Sequence, residues 1–385
     1  MSMVRRIALV VALAVFLSPA LPAQDSSELR EQFDTIIEGL NKDSFERFLR
    51  AIDEKDMTTR IYDRRLIEPP IKTAFSEDFS NSIPSMFASS LPKSRKEILG
   101  TVVDFGFSGN EGRAVVRYAA SGYRFAYHVY ELRAAGNGRL YIVDWVDYYQ
   151  GGRFTDEVGD MLIRTLPSKS ATRNALTNRA AAGDAEIFQV SELFKAARDN
   201  KPERFFQIYD GLDDTLLNEE VVTRLNWHMV LMARDAARID RAARQVDDMF
   251  GDNPLYSQRL IEYYISSKQF AKAIASLERL QQGLGLTDGA IESLKVSAAL
   301  ALGNIEDATK YAQQAIEAEP SLELAWWSVL RARTAAGDFG GAIEAIARLE
   351  DDFGESLSPQ QLRKDPFLRV LSGKQEYLDW RASRQ

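Results

Sequence analysis

The fold class predicted for this chain is an α+β unit followed by an all-α helical solenoid. Three observations predict it. Apolar residues recur at helical spacing up to about residue 95. They switch to alternation between residues 97 and 149. Beyond residue 187, one helix-pair pattern is written several times with a period near 34 residues.

The first 23 residues stand apart. Arg5 and Arg6 precede an unbroken apolar run, Ile7 to Leu17, and the small residues Ala20 and Ala23 follow. This order matches a secretory signal peptide cleaved after Ala23, with Ala20 as the second choice. Eleven apolar residues fall short of the roughly 20 needed to span a bilayer, and no lipobox cysteine follows. The expected location is the periplasm or outside the cell.

Without Arg5 and Arg6 the balance is 46 basic against 56 acidic residues, a net charge of −10. Such a chain repels phosphate backbones, which argues against a nucleic-acid partner. The chain has no cysteine, so thiol catalysis, thiolate metal sites and disulfides are all excluded. A composition of 45% hydrophobic and 27% charged residues supports ordinary apolar cores.

Residues 25–163 form the expected α+β domain. Leu29, Phe33, Ile36, Ile37 and Leu40 trace one helix. Phe45, Phe48, Leu49 and Ile52 trace a second, capped by Asp43 or Ser44. Pro69 and Pro70 stop the run, and apolar clusters follow at Phe75 and at Met86 and Phe87. Four strands are predicted next: 97–107, 113–120, 123–133 and 139–149. Short turns such as "SGNEG" join them, which implies an antiparallel meander. Phe125, Tyr127 and Val129 share one face of the third strand; Ala126, His128 and Tyr130 share the other. In the last strand, Tyr141, Val143 and Trp145 are expected opposite Leu140, Ile142 and Val146. One sheet face receives the helices. The other is partly apolar and is available to the rest of the chain, a ligand or a second copy, so a homodimer through this domain is one expectation.

Helices followed by an aromatic antiparallel sheet ending in "LYIVDWVDYY" resemble the NTF2-like (cone-shaped α+β) family. The resemblance implies a cone that in some members holds a small molecule or an active site. If this one does, the groups available to it are Asp104, Tyr118, Tyr127, Tyr141, Asp144 and Asp147. A buried aspartate there would have a raised pKa suited to proton transfer. No catalytic pair can be assigned among them.

Residues 164–186 are small and polar and read as a linker. The solenoid then occupies residues 187–385. Aligned on Phe270, Ile305 and Phe339, three segments place alanine three residues on, at Ala273, Ala308 and Ala342. Further apolar residues follow at offsets of seven and ten, one stripe of a helix. An upstream helix accompanies each segment. A fourth copy aligned on Ile239 lies 31 residues before the next, and a fifth, degenerate pair precedes it. Trp326, Gly337, Phe339, Ala342, Ala308, Ala273 and Pro320 match the tetratricopeptide repeat, which this half resembles. Lys268 departs from it, standing where a turn glycine is expected. The tail, with Phe367, Leu368, Leu371, Tyr377 and Trp380, reads as a terminal cap.

Repeats of this kind bury their apolar faces on one another and leave a concave surface for a peptide or protein segment. The residues expected to face it are Trp227, Arg234, Asp235, Gln258, Glu262, Ser293, Ser297, Trp327 and Arg331. Trp327 and Arg331, one turn apart, offer large area with a polar handle. The two histidines, His128 and His228, have no metal-ligand spacing, and no phosphate loop or nucleophile elbow occurs. The expected function is therefore an exported, non-enzymatic interaction adaptor without cofactor or metal. The alternative is a small-molecule or enzymatic pocket in the first domain, with the repeats recruiting a partner.

Overall fold

The computed structural model describes residues 23–42, 44–63, 67, 69–89, 99–120, 124–149, 151–165 and 183–384. All but the last residue of the predicted signal peptide, and most of the predicted linker, lie outside these residues. Four helices come first: α1 (Ala23–Asn41), α2 (Glu46–Ala51), α3 (Glu54–Asp63) and α4 (Pro69–Ser89). Leu29, Phe33, Ile36 and Ile37 of α1 are all buried, as one apolar stripe requires. The start of α2 differs from expectation. Its N-cap is Phe45, with no side-chain bond. Ser44 instead gives its backbone N–H to the Gly39 carbonyl, and Asp43 lies outside the described residues. Pro69 and Pro70 separate α3 from α4 and also open α4, where the missing proline N–H costs no helical bond.

The sheet is a five-stranded antiparallel meander in sequence order: β1 (Leu99–Ser108), β2 (Glu111–Ala120), β3 (Arg124–Ala134), β4 (Leu140–Asp147) and the two-residue β5 (Gly152–Arg153). Helix α5 (Phe154–Thr165) follows. Ala114, Val116, Tyr118, Ala126 and Tyr130 join Phe33, Phe48 and Phe87 in one core under the helices. The Trp145 ring stacks on Phe154 of α5 at 3.8 Å.

One face assignment changes. Glu131 pairs with Asp144 and Leu132 with Ile142, leaving Val143 as an extra residue. This bulge flips the alternation, so Trp145 joins Leu140 and Ile142 in the helix-side core rather than opposing them. A second bulge, at Val103, lies between the pairs Val102–Val116 and Asp104–Val115.

The remaining helices are mostly antiparallel pairs: α6 (Asp184–Arg198) with α7 (Pro202–Tyr209), then, after the single-turn α8 (Asp214–Leu217), α9 (Glu220–Ala233) with α10 (Ala236–Phe250), α11 (Pro254–Ser266) with α12 (Phe270–Leu284), α13 (Gly289–Ala301) with α14 (Ile305–Ala318), and α15 (Glu323–Ala336) with α16 (Phe339–Phe353). Each pair turns on one left-handed residue: Asn200 (φ 52°), Arg234 (55°), Lys268 (60°), Gly303 (77°) and Gly337 (76°). These residues are 34, 34, 35 and 34 positions apart. The turns therefore realign the fourth copy on Ala236, which begins α10 as Phe270 begins α12. The spacing of 31 came from choosing Ile239, one turn further along. The repeat alanines Ala273, Ala308 and Ala342 are fully buried. Past α16, the short helices α17 (Pro359–Lys364) and α18 (Gln375–Ser383) bring Leu362, Leu368, Leu371 and Tyr377 onto the last pair as a cap.

The second sheet face meets the helical array. Val115, Phe125, Tyr127 and Val129 form one apolar cluster with Ile261 of α11, Leu277, Leu280 and Leu284 of α12, and Ile291 of α13. This face is therefore covered by the chain's own helices.

Candidate functional site

Where the sheet meets the array, a cleft of about 550 Å³ stays open. Helices α9, α10, α11 and α13 form one wall through Trp227, Leu231, Ile239, Ile265 and Leu294. The sheet supplies Phe125 and Tyr149. Amphipathic spacing explains the first wall, since each pair turns part of its first helix away from its own partner. The second wall exists because β3 runs past the last β4 pair: the ladder begins at His128–Asp147, and Phe125 lies beyond it. Its free carbonyl accepts a hydrogen bond from the Gln258 side-chain amide.

The polar groups in this cleft are few. Arg259 donates through Nε to the Tyr149 carbonyl at 2.5 Å and lies over the Tyr149 ring at 5.6 Å. Burial lowers the pKa of its guanidinium, opposed by Tyr149, Asp147 and Glu262. Glu262 is exposed, one turn from Arg259 on the same helix. Gln258 and Trp227 are each only 4% exposed.

Three of the nine residues expected on the concave face, Trp227, Gln258 and Glu262, thus meet in one place. The others are distributed. Arg234 is the left-handed turn residue of its pair, and Asp235 caps α10 by accepting the N–H groups of Ala237 and Arg238. Ser293 is buried and bonds the Gly289 carbonyl at 2.7 Å. Ser297 is exposed and bonds the Ser293 carbonyl at 3.4 Å. Trp327 and Arg331 line a separate cleft of about 350 Å³ against the cap. There Arg331 binds Asp365 at 2.7 Å and Trp327 donates to Glu323 at 2.9 Å.

Of the six residues named for a pocket in the first domain, Tyr118 and Asp147 join one buried chain and the other four lie apart. Asp104 pairs with Arg113 at 3.0 Å, and Tyr141 lies under Arg139. Tyr118 shares a 2.6 Å bond with Tyr130 in the helix-side core. Tyr130 reaches His128 at 3.3 Å, and His128 lies 3.7 Å from Asp147. Burial raises the pKa of both tyrosines. Phe87 packs edge-on against His128. Asp144 is fully buried at the start of α5 and accepts from Thr155 Oγ1 at 2.8 Å, the Trp145 N–H at 2.8 Å and Arg153 at 3.2 Å.

Tyr127 faces the array instead and belongs to a network that residue spacing did not reveal. Its hydroxyl donates to Asp288 at 2.7 Å. Arg117 of β2 binds Asp288 at 2.7 Å and both oxygens of Glu319 at 2.7 and 2.8 Å. Asp288 also accepts the Ala290 and Ile291 N–H groups at the start of α13. Burial disfavours the Arg117 charge, but the bonds to Glu319 and the charge of Asp288 outweigh it, so its pKa is raised. The visible signal was an arginine sharing a face of β2 with Val115, which packs against the array.

Among the described residues, no helix is long and apolar enough to cross a membrane. No family model matches the chain, and no curated protein matches it. Among solved structures, a chain described as PilW, a widely conserved type IV pilus biogenesis factor, is similar over 53% of this chain and 94% of its own, at 14% identity and a TM-score of 0.33. A likeness that slight shows neither the family nor the function of this chain.

Proposed function

We propose that the protein is an exported, non-catalytic adaptor that holds a peptide or protein segment in the cleft between its helical array and its sheet. The sheet unit, taken as NTF2-like, serves as the fixed wall of that cleft. The observation that carries this reading is the uncovered apolar mouth. Leu231 and Ile265 line the cleft yet remain 39% and 37% exposed, while the rest of the junction is sealed by packed side chains. Clefts that are apolar with few placed polar groups are the usual form of a binding site. The alternative, a pocket inside the sheet unit, has the buried chain Asp147–His128–Tyr130–Tyr118 in its favour. Against it, a ligand there would have to displace the rings of Phe48, Phe87 and Trp145.

Site-specific photo-crosslinking tests the main reading. A photoreactive residue is placed at Leu231, at Ile265, or at the exposed control position Glu306, in the full mature chain, and irradiated in envelope extract. Adducts at the two cleft positions and none at Glu306 support docking there. Equal yields at all three, or none at the cleft, remove it.

A further inference from the structure

The second cleft, of about 350 Å³ between α15 and the cap, holds an arginine that is only half used. Arg331 hydrogen-bonds Asp365 through Nε alone, at 2.7 Å, and its guanidinium lies 5.7 Å from the centre of the Trp327 ring. It thus sits between two other lining residues of the cleft. Trp327 is itself fixed by its bond to Glu323. Neither Nη nitrogen of Arg331 makes a hydrogen bond among the described residues, and neither is among the buried atoms that lack a partner, so both are open to water. The side chain keeps 19% of its surface exposed. An arginine held at Nε and over a ring has its fork set in advance, and two free Nη nitrogens match the two oxygens of a carboxylate. Asp365 is already spent, since its second oxygen takes the Phe367 N–H at 2.9 Å.

The surface around this arginine is cationic. Lys364 lines the same cleft, is exposed, and makes no ion pair among the described residues. Between Glu355 and Glu376 the cap carries four basic residues, Arg363, Lys364, Arg369 and Lys374, against Asp365 alone, a local charge of +3 on a chain of net charge −8. Leu357, Leu362 and Leu368 close the floor of the cleft and are buried. The apolar surfaces within reach of a ligand are Trp327 and Pro366. We propose that this cleft is a second docking point, independent of the one between array and sheet, and that its occupant is an acidic segment of a partner protein. One Glu or Asp side chain takes the two Nη nitrogens of Arg331, a second acid lies against Lys364, and an apolar side chain beside them covers Trp327 and Pro366. The occupant is an internal segment rather than a chain terminus, because the positive charge is spread along the cap instead of converging on one point.

The test uses acetylated and amidated peptides with a central Glu-Leu-Leu-Glu flanked by Gly and Ser, titrated by fluorescence polarisation against the full mature chain. Three ligand arms are compared: this parent, the same peptide with Gln for both Glu, and the Gln peptide ending in a free terminal carboxylate. Binding of the parent is expected, with at least about tenfold loss in the Gln arm, the size of one lost charged hydrogen bond. Parent binding should also weaken as salt rises from about 0.05 to about 0.3 M. Lys364→Gln, at an exposed position, should lower parent affinity and flatten that salt dependence. Arg331→Lys keeps the charge and loses the fork, so it should shrink the preference for Glu over Gln, which a merely structural role would leave intact. Because the Gln arm alters the ligand and not the protein, its result survives a variant that loosens the cap. Equal binding of Glu and Gln peptides, parent affinity unchanged in both variants, or no binding at all would overturn the proposal. A free-terminus peptide that matches the parent would overturn recognition of an internal acid. Photo-adducts at Leu231 and Ile265 should be unchanged in Lys364→Gln; their loss would overturn the independence of the two docking points.

Discussion

Replacing Arg117 with methionine should cost about 3 kcal/mol of stability, because breaking a buried ion pair from one side strands the other charge. The magnitude follows from what is left behind. The Asp288 side chain is 1% exposed and the Glu319 side chain 22% exposed. Asp288 retains the Tyr127 hydroxyl and two backbone N–H groups, and Glu319 can turn toward water. The loss therefore falls at the lower end of the roughly 3–5 kcal/mol range for such breaks. The triple variant Arg117→Met, Asp288→Asn, Glu319→Gln should recover most of it. Neutralising all members removes the stranded charges, and asparagine still caps α13. Urea unfolding monitored by fluorescence gives the free energies, and limited proteolysis reports whether the sheet separates from the array before global unfolding. A single variant costing less than about 1 kcal/mol, or a triple variant no better than the single, would refute the argument that these charges are held by one another in a sealed junction.

Three further outcomes are expected. Burial raises the pKa of Asp144 above its ordinary 3.8, against the bonds from Thr155 and Arg153 and the Trp145 N–H, so the folded state holds this proton over a window where the unfolded chain has released it. Its stabilising contribution is complete below 3.8 and is lost as pH rises through the folded value; urea midpoints should show the advantage of the wild type over Asp144→Asn shrinking as pH rises through that window. Lys268→Gly should raise stability by about 0.5–1 kcal/mol, because a side chain at φ 60° strains the left-handed turn more than glycine's extra chain entropy costs; an unchanged or lowered urea midpoint would count against the turn assignment. Ala308→Leu should cost about 1–3 kcal/mol by overpacking, since the Ala308 side chain is fully buried between helices; a neutral effect in the same assay would mean that the helices part there without penalty.

Periodicity made the strands and the helix pairs readable, because burial of one face imposes a fixed spacing on apolar residues. The bulge at Val143 was not readable: valine there carries no mark of an extra residue, and a single insertion sends Trp145 to the other face. The turns at Asn200 and Arg234 escaped for a related reason, and the one at Lys268 was placed only by its spacing from the other copies. Left-handed backbone is announced by glycine, and three of the five copies do without it. Trp227, Gln258 and Glu262 were accessible to a helical-face argument, because they lie on the first helices of successive pairs. Phe125 and Tyr149 were not, since they reach the cleft only through the docking of the sheet. The Arg117–Asp288 pair spans 171 residues, a distance over which no local pattern carries information.

Chains of stacked repeats ordinarily behave as springs, each module touching only its neighbours. Here one module is fastened to a single strand at both of its ends: Asp288 caps the start of α13, Glu319 closes the end of α14, and Arg117 of β2 binds both. The strand acts as a splint. That helix pair cannot open without tearing an arginine from two carboxylates, so the middle of the array holds its shape whether or not anything lies beside it.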